Sequence, residues 1–462
     1  MEGKTLDKKT RNLILLLFLI GVFMGSLDTG IIGPVLPSIE QSFHLTSRES
    51  SWIFTLFVIS FMIGSPVMAK FSDFYGRKKV FILDVILFGI GSCLIASSLS
   101  IEAIFLGRIV QGFGCGGIFP VAGAFVGDAF PLEERGKALG ILGSVFGISA
   151  IGGPLVGAAL IPYGWNWCFT INIPIAIFLI AFAFYILPEI EDDRKLKIDY
   201  LGIIVLSLLS IFLAYGLNQI DSSNFTNSFL SINVLPFLLM FIILIPIFLK
   251  IEKRAEESIV PIHMLKNREI RIACVETLCY GIIYSSAIFV PSLVILSMGL
   301  NEQYASLMLI PILGANAVAA PILGKILDSA GSHKIMAVGT MMLAIGLFAI
   351  AVYPSNLVFF IIAGCMIGVG LVTIIGAPLR YIVLTEAKPY ERGAGQAIVN
   401  MLSSAWQLIG GAFIGGIIAS FAGILGYKIS LFLATIVAII AFAFTLRLKS
   451  RDEQIATMKA NQ

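Results

Sequence analysis

Long apolar runs alternate with short polar segments along almost the whole chain. Most of these runs hold about 20 predominantly apolar residues, the length at which an α-helix crosses the hydrocarbon core of a bilayer. The runs lie at about residues 13–37, 50–69, 80–98, 102–127, 138–161, 167–187, 199–217, 233–249, 271–297, 304–324, 335–353, 357–379, 395–420 and 428–446. The pattern predicts an all-α membrane protein with 14 transmembrane helices.

The positions of the Lys and Arg residues fit this count, because such residues collect in the cytoplasmic loops of membrane proteins. When the N-terminus is placed in the cytoplasm, all 31 of them except Arg48, Arg108 and Lys428 fall in predicted cytoplasmic segments. Arg108 is then the single cation inside the membrane. The distribution predicts that both the N and C termini are cytoplasmic.

Composition excludes most other classes of protein. The chain is 58% hydrophobic and 13% charged, whereas soluble domains carry about 25% charged residues. The six cysteines are scattered through apolar runs, and the sequence has neither a GxxxxGK(S/T) loop nor a cytoplasmic loop long enough for an ATPase domain. We therefore predict no enzyme activity, no cofactor, no metal site and no nucleic-acid partner, and we expect an ion gradient to supply the energy.

Two short motifs each occur twice, at nearly the same separation. AKFSDFYGRKK (Ala69–Lys79) and GKILDSAGSHK (Gly324–Lys334) share Asp-x-x-Gly followed by basic residues, and PLEERGKALG (Pro131–Gly140) and KPYERGAGQA (Lys388–Ala397) share Glu-Arg-Gly. The copies lie 255 residues apart (Asp73 to Asp328) and 257 residues apart (Arg135 to Arg392). The repeat predicts two six-helix halves in the same orientation, residues 1–190 and 256–462, with two inserted helices in residues 191–255. Parallel halves are typical of transporters that bind substrate between the halves.

Five segments resemble motifs of the major facilitator superfamily, in particular of its fourteen-span drug:proton antiporter branch. They are LDTGIIGPVLPSI (Leu27–Ile39), the Asp73-x-x-Gly76-Arg77-Lys78 loop, Arg108-x-x-Gln111-Gly112-x-Gly114, the stretch from Gly140 to Gly153-Pro154-x-x-Gly157, and WNWCFTINIP (Trp165–Pro174). The chain departs from the pattern at Ala69, Phe74, Ser149 and Ala158. The five segments follow the family's order on the predicted spans, and the resemblance covers almost the whole chain.

The resemblance implies the major-facilitator fold and secondary active efflux by alternating access. The expected substrates are hydrophobic, often cationic drugs and dyes, which a monomer exchanges for protons across a bacterial plasma membrane, giving antibiotic resistance. Two alternatives stay open. One is a dedicated proton-coupled exporter of one endogenous molecule, such as a fatty acid, siderophore, lipid or amino acid; the other is a non-transporting membrane sensor or scaffold.

Asp28 lies about halfway along the first predicted span, where a carboxylate costs about 2.5–3.5 kcal/mol on insertion scales. A carboxylate that binds either a proton or a cationic substrate supplies the mutual exclusion that an antiporter requires. The resemblance places Asp28, Arg108 and Glu276 around one central cavity, and we predict that they couple proton movement to transport. The alternatives are a structural hydrogen bond for Asp28, an interfacial position for Arg108, and an interfacial Glu276 that reaches Arg271 or Lys266.

The predicted substrate site uses polar and aromatic residues of the same region. Glu276, Tyr280 and Tyr284 recur at every fourth position, and so they lie on one face of a helix. We predict substrate contacts for Asp28, Gln111, Glu276, Tyr280, Tyr284, Trp406 and Gln407, and a packing role is the alternative for Trp406. Two buried carboxylates against the single Arg108 favour cationic over anionic substrates.

The repeated loops are expected to control the conformational change. The resemblance assigns this gating role to Asp73, Gly76 and Arg77, and the repeat extends it to Asp328 and Gly331. A simple helix cap with an orienting cluster of charges is the alternative for Asp73.

Small residues and two further carboxylates complete the candidates. Gly153, Pro154 and Gly157 form a ridge of small residues that lets helices pack closely. The resemblance implies that this ridge lies at the seam between the halves, with close packing alone as the alternative. Asp84 and Asp128 lie near predicted cytoplasmic ends of spans, and we expect both to support loops.

Overall fold

The structure, a computed structural model, describes residues 7–188, 199–220, 225–255, 257–300, 302–421 and 423–460. These residues form the helices α1 (Lys8–Phe43), α2 (Ser47–Tyr75), α3 (Arg77–Ala96), α4 (Ile101–Ala129), α5 (Leu132–Leu160), α6 (Trp167–Thr170), α7 (Asn172–Ile186), α8 (Tyr200–Asn218), α9 (Phe225–Phe229), α10 (Leu235–Arg254), α11 (Arg268–Ile288), α12 (Val290–Met298), α13 (Glu302–Leu307), α14 (Ile310–Val352), α15 (Leu357–Ile375), α16 (Ala377–Glu386), α17 (Arg392–Ser420), α18 (Ile424–Thr445) and α19 (Arg451–Ala460). Short 3-10 helices lie at Ile161–Tyr163, Ile262–Lys266 and Pro389–Glu391. The prediction of an all-helical chain is confirmed.

Thirteen helical stretches of the described residues are long and apolar enough to cross a membrane. One of them, α14, has 43 residues, about twice the length that a single crossing needs. Its Gly331 has φ 77° and ψ 165°, so the helix is interrupted there. If residues 310–330 and 332–352 are two crossings, the total is fourteen. This count, and the cytoplasmic position of both termini, remain predictions.

Gly76 and Gly331 interrupt the chain in the same way in the two repeated loops. Gly76 separates α2 from α3 with φ 87° and ψ 152°, close to the angles of Gly331. This backbone region is open almost only to glycine, because a Cβ atom would clash with neighbouring backbone atoms. Each Asp-x-x-Gly motif therefore ends one helix and starts the next.

Two groups of helices meet through related contacts. One apolar core is built mainly from α1 to α5 and α7, and a second from α11, α14, α15 and α18. Between the groups, α2 packs on α17 and α5 packs on α14. In the predicted repeat, α2 corresponds to the first part of α14 and α5 corresponds to α17. The two contacts are therefore equivalent, as parallel halves require.

The helices of the predicted insert, α8 and α10, pack on each other and against both groups. α8 contacts α2 and α17. Leu209 of α8 and Phe248 of α10 share an apolar cluster with Val67 of α2 and Ile398 of α17. The boundary between residues 190 and 191 lies outside the described residues, and the division into three parts stays a prediction.

Candidate functional site

A buried hydrogen-bond network surrounds Asp28 in the middle of α1. Its Oδ2 lies 2.6 Å from Nη1 of Arg108, and its Oδ1 accepts hydrogen bonds from Gln111 at 2.8 Å and from Asn172 at 3.2 Å. Arg108 also donates to Oε1 of Gln111 at 2.6 Å. All four side chains are at most 1% exposed. The structure therefore joins Asp28, Arg108 and Gln111, three of the predicted site residues, in one ion-paired network across α1, α4 and α7.

Arg108 is held from a further helix as well. Its Nε donates to the backbone oxygen of Ile53 at 3.0 Å, and its guanidinium carbon lies 4.2 Å from the centre of the Phe57 ring, both on α2. Because Arg108 is fully buried, the alternative of an interfacial Arg108 is wrong. The structural alternative for Asp28 describes its contacts correctly, since it does bind neighbouring helices. A proton on Asp28 would nevertheless remove the counter-charge of Arg108.

Glu276 lies on α11, in the other group of helices, and it is fully buried. Neither of its carboxylate oxygens has a hydrogen-bond partner among the described residues. The alternative of an interfacial Glu276 that reaches Arg271 or Lys266 is therefore wrong. Within the same part of the chain, Glu276 forms no ion pair with Arg108, so the structure does not bring the three predicted coupling residues into contact.

The other predicted substrate residues lie where α11 packs on α17. The rings of Tyr280 and Tyr284 are stacked, with their centres 5.3 Å apart. Trp406 approaches α11 so closely that a Cβ atom at Gly281 would lie 2.4 Å from its Cβ. The backbone oxygen of Gln407 accepts a hydrogen bond from the Ser285 hydroxyl at 3.2 Å. Trp406 thus does pack between helices, and the substrate roles of these residues remain predictions.

Arg380 is a second buried guanidinium group in a helical stretch that is apolar enough to cross a membrane, whereas the sequence predicts that Arg108 is the only one. It lies on α16, within the apolar stretch Leu357–Glu386, and it is buried. Its Nη1 donates to Oε1 of Gln396 at 3.3 Å and its Nη2 to Oδ1 of Asn400 at 2.8 Å. In the sequence, the apolar segment Tyr-Ile-Val-Leu directly after Arg380 indicates that the span continues beyond residue 379.

Asp73 belongs to a charged cluster at one end of the bundle, which we call the gate end. Its carboxylate contacts Nη1 of Arg77 and accepts a hydrogen bond from the backbone N–H of Ala394 at 3.3 Å. Asp128 lies between Nη2 of Arg77 at 3.3 Å and Nη1 of Arg392 at 2.9 Å. Ala394 and Arg392 are on α17, whereas the other three residues are on α2 to α4. The cluster therefore links the two predicted halves.

Asp328 makes the equivalent contact in the opposite direction. Its two carboxylate oxygens accept hydrogen bonds from the backbone N–H groups of Gly136 at 2.7 Å and Lys137 at 2.9 Å. These N–H groups are in the second turn of α5, near the positive end of the helix dipole. Asp73 binds the N–H group of Ala394 in the first turn of α17. Each repeated Asp thus binds backbone N–H groups near the start of the helix that begins at the Glu-Arg-Gly motif of the other half, which goes beyond a simple local cap.

Gly153, Pro154 and Gly157 do not lie at the seam between the halves. A Cβ atom at Gly153 would come within 2.6 Å of Gly30, and one at Gly157 within 3.4 Å of Pro34. Both neighbours are on α1, in the same predicted half, and Pro154 is exposed. The prediction of a seam at these residues is wrong, because this part of α5 turns its small residues toward α1.

The seam lies further toward the gate end of α5. A Cβ atom at Gly140 would come within 2.6 Å of the backbone oxygen of Ala320 and 2.7 Å of the Cα atom of Gly324, both on α14. One at Gly147 would come within 2.8 Å of Ala317. The backbones of α5 and α14 are in contact here because neither glycine has a side chain.

Asp128 takes part in the gate-end cluster, but Asp84 does not support a loop as predicted. Asp84 on α3 is fully buried, and neither of its carboxylate oxygens has a hydrogen-bond partner in the part of the chain that the structure describes. It packs against α4, where a Cβ atom at Gly117 would come within 2.2 Å of its Oδ2. Both acids lie near predicted ends of spans, and so this position alone could not tell the ion-paired Asp128 from the buried, unpaired Asp84.

A cavity of about 910 Å³ opens at the gate end between α2, α10 and the segment that precedes α11. Asp73, Glu252, Lys266 and Arg271 are among its lining residues. The cavity borders the gate-end cluster and contains none of the predicted substrate residues. In residues 7–460, apart from the undescribed gaps, no group of three or more His, Cys, Asp or Glu side chains could hold a metal ion.

Many helices long and apolar enough to cross a membrane, two equivalent contacts between groups of helices and a buried ion pair are typical of membrane transporters. The family model of the Major Facilitator Superfamily matches residues 18–411 and 272–460. The chain belongs to this superfamily.

Two bacterial relatives match most of the chain. It is 31% identical over 408 residues to the uncharacterized MFS-type transporter YfiU of Bacillus subtilis, a match that covers 87% of this chain and 79% of YfiU. It is 27% identical over 423 residues to Multidrug resistance protein 3 of the same organism, covering 90% and 81% of the two chains. The solved structure of the proton:xylose symporter XylE matches with a TM-score of 0.65 and 14% identity over 98% of this chain and 99% of XylE, which shows the fold alone.

Proposed function

We propose that this protein exports hydrophobic organic molecules, drugs and dyes among them, in exchange for protons by alternating access. The observation that carries the proposal is the buried ion pair of Asp28 and Arg108, 2.6 Å apart. A carboxylate inside a membrane has a high free-energy cost, and such residues mark ion pathways and proton relays. Asp28 is connected to two other helices, to α4 through Arg108 and Gln111 and to α7 through Asn172, so a change in its charge acts on their packing.

Proton binding at Asp28 is the proposed coupling step. Once Asp28 is neutral, the guanidinium of Arg108 keeps only neutral acceptors, Oε1 of Gln111 and the backbone oxygen of Ile53. A buried charge without its counter-ion costs several kcal/mol. Protonation therefore favours a rearrangement of α1 and α4, and a cationic group of a substrate would compete with the proton for the same carboxylate. Glu276 is the second acid proposed to bind protons.

The gate-end contacts support alternating access. Asp73 and Asp328 each bind backbone N–H groups of the opposite half, and Asp128 binds guanidinium groups of both halves. All of these contacts must separate before a substrate can enter from the gate end. Since the sequence predicts that this end is cytoplasmic, the structure corresponds to a state that is closed to the cytoplasm.

Similarity to Multidrug resistance protein 3 supports a broad range of hydrophobic substrates, and the Bacillus relatives support a bacterial plasma membrane as the site of action. We propose a monomer, because each gate contact is completed within one chain. Paired gates in both halves are the feature that a non-transporting sensor or scaffold would not need.

Substrate-driven proton movement tests the proposal. The purified full chain is placed in proteoliposomes with an imposed pH gradient, and internal pH is followed while ethidium is added. We expect ethidium to trigger proton movement in the wild type, and we expect Asp28→Asn to reduce it about tenfold or more, as for a proton-transfer group. Glu102→Gln, which neutralises an exposed carboxylate at the start of α4, is the matched control and should behave as the wild type.

Two outcomes would contradict the proposal. Proton movement in Asp28→Asn equal to that of Glu102→Gln would remove Asp28 from the coupling step. Absence of any response of the folded wild type to ethidium and to other hydrophobic dyes would favour the dedicated exporter of one endogenous molecule.

A further inference from the structure

We propose that Arg380, Asn400 and Gln396 form a binding site for the anionic group of an organic substrate, such as a carboxylate. The inference rests on the proposed function, because it names a further substrate class for the same transporter. It reverses the sequence-based expectation that the charges inside the membrane favour cations alone.

The site has hydrogen-bond donors and positive charge without a matching anion. Arg380 is 5% exposed and Asn400 is 6% exposed. The two hydrogen bonds from Arg380 to the amide oxygens of Gln396 and Asn400 use two of its five N–H groups. The amide nitrogen of Asn400 is buried and has no acceptor among the described residues. Within the described chain, no Asp or Glu forms an ion pair with Arg380.

This arrangement differs from the one around Arg108. Arg108 already has the carboxylate of Asp28 as its counter-ion, so it has no need of a further anion. Arg380 has only neutral amide acceptors, and a buried charge left in this way costs several kcal/mol. An incoming carboxylate would supply the counter-charge, and its two oxygens fit the paired N–H groups of a guanidinium.

The site lies between the two halves. The guanidinium carbon of Arg380 is 3.8 Å from the centre of the Phe119 ring on α4. A Cβ atom at Gly123, one turn further along α4, would lie 3.3 Å from Cγ of Gln396. A ligand held by Arg380 would therefore contact the C-terminal half through its charge and lie next to α4 of the N-terminal half. Substrate sites of transporters with paired halves occupy such a position.

A pair of aromatic rings, Phe119 and Phe146, lies beside the charged group of Arg380. The ring of Phe146 lies 5.2 Å from that of Phe119 and is 42% exposed, so the aromatic wall reaches the protein surface. Aromatic pairs of this kind accept flat apolar groups. The geometry points to a substrate with an aromatic body and one anionic group.

Binding of two related dyes tests the inference. Fluorescein, which carries a carboxylate, and the cationic tetramethylrhodamine methyl ester share a xanthene ring, and fluorescence anisotropy reports their binding to the full chain in lipid nanodiscs. We expect Arg380→Gln to raise the Kd of fluorescein about tenfold or more, the effect of losing a charged hydrogen-bond partner. Binding of the rhodamine ester should stay the same or tighten. Arg268→Gln, which removes an exposed guanidinium at the start of α11, is the matched control and should leave both constants unchanged.

Asn400→Ala is the second variant, and it keeps the inference testable if Arg380→Gln does not fold. It removes the free amide donor and also the Oδ1 acceptor that orients Arg380, and it should raise the Kd of fluorescein about tenfold or more, as for one hydrogen bond to a charged group. The inference is overturned if the wild type shows no saturable binding of fluorescein, or if a folded variant of either residue binds it as tightly as Arg268→Gln does.

The same preparations separate this inference from the proposed function. If the rhodamine ester drives proton movement and Arg380→Gln leaves the Kd of fluorescein unchanged, the anion-site inference is wrong and the proposal of proton-coupled export stands. If Arg380→Gln raises the Kd of fluorescein but neither dye drives proton movement, the anion site is established and the proposal of coupling to protons is wrong.

Discussion

Buried charged residues of this transporter fall into two kinds. Asp28 and Arg108 form an ion pair, whereas Asp84, Glu276 and Arg380 are buried without an opposite charge among the described residues. A polar group taken out of water without a partner lowers stability, whatever its protonation state. Residues of the second kind therefore reduce the stability of the fold, and for Glu276 and Arg380 we connect that cost with a function.

Asp84→Val should stabilise the protein. Valine has nearly the volume of aspartate and has no polar atoms to leave unpaired, so the free energy of unfolding should rise by about 1–3 kcal/mol. Thermal unfolding in detergent, followed by intrinsic fluorescence, measures the change. A lower midpoint than that of the wild type would show that the Asp84 carboxyl group has a stabilising partner.

Ser92→Ala provides the matched control on the same helix. The Ser92 hydroxyl accepts a hydrogen bond from Gln111 at 3.0 Å and donates to the backbone oxygen of Phe88 at 2.9 Å. Its removal leaves the Gln111 amide with one partner fewer, so this variant should be less stable than the wild type. Opposite signs for the two α3 variants separate an unpaired from a paired buried group.

At the scale of the helices, two crossings join the halves, α5 with α14 and α2 with α17. The α5–α14 pair has a backbone contact at small residues near the gate end, and in each pair a carboxylate of one helix binds backbone N–H groups near the start of its partner. The contact of Gly140 with Gly324 sets how closely α5 and α14 can approach. It lies one turn from Gly136, whose N–H group binds Asp328.

Gly140→Ala should shift the equilibrium away from the closed gate. The added methyl group meets backbone atoms of α14 at 2.6 and 2.7 Å, and overpacking of this kind costs about 1–3 kcal/mol. The ratio of closed to open states should fall about 5- to 150-fold. Distances between spin labels at positions 137 and 325, on opposite sides of the seam, report the two populations.

Gly143→Ala is the control for this measurement. A Cβ atom at Gly143, less than one turn from Gly140, would meet no atom within 4 Å. Its distance distribution should match that of the wild type. Equal distributions for Gly140→Ala and Gly143→Ala would mean that the glycine contact does not control closure.

At the scale of the whole molecule, the number of crossings decides where the carboxyl end lies. Fourteen crossings place Lys8 and Lys459 on the same side of the membrane, whereas thirteen place them on opposite sides. In a cysteine-free chain, single cysteines at positions 8 and 459 should resist a membrane-impermeant maleimide in intact cells. A cysteine at Leu99, which is 96% exposed in the connection between α3 and α4, should react. Labelling at 459 together with protection at 8 would contradict fourteen crossings.

The long helices were predictable because each contains a long apolar run between polar loops, and the repeats of Asp-x-x-Gly and Glu-Arg-Gly indicated paired halves. The sequence could not show that Asp328 binds the start of α5, because Asp328 lies 192 positions after its partner Gly136. Arg380 was missed because Gly376 and Pro378 resemble the end of a span, although the helix resumes at once as α16. The side of α5 that meets the other half depends on how the helix is rotated about its axis. Because α5 has glycines on several faces, the sequence does not determine this rotation.

The exchanged caps at the gate end have the geometry of a two-fold symmetric dimer within a single polypeptide. An acid of each half binds a helix start of the other, as the same patch binds itself across an isologous interface. Two separate copies of one half could satisfy the same pair of contacts. Each half therefore carries both elements of the gate contact, a carboxylate that binds and a helix start that is bound.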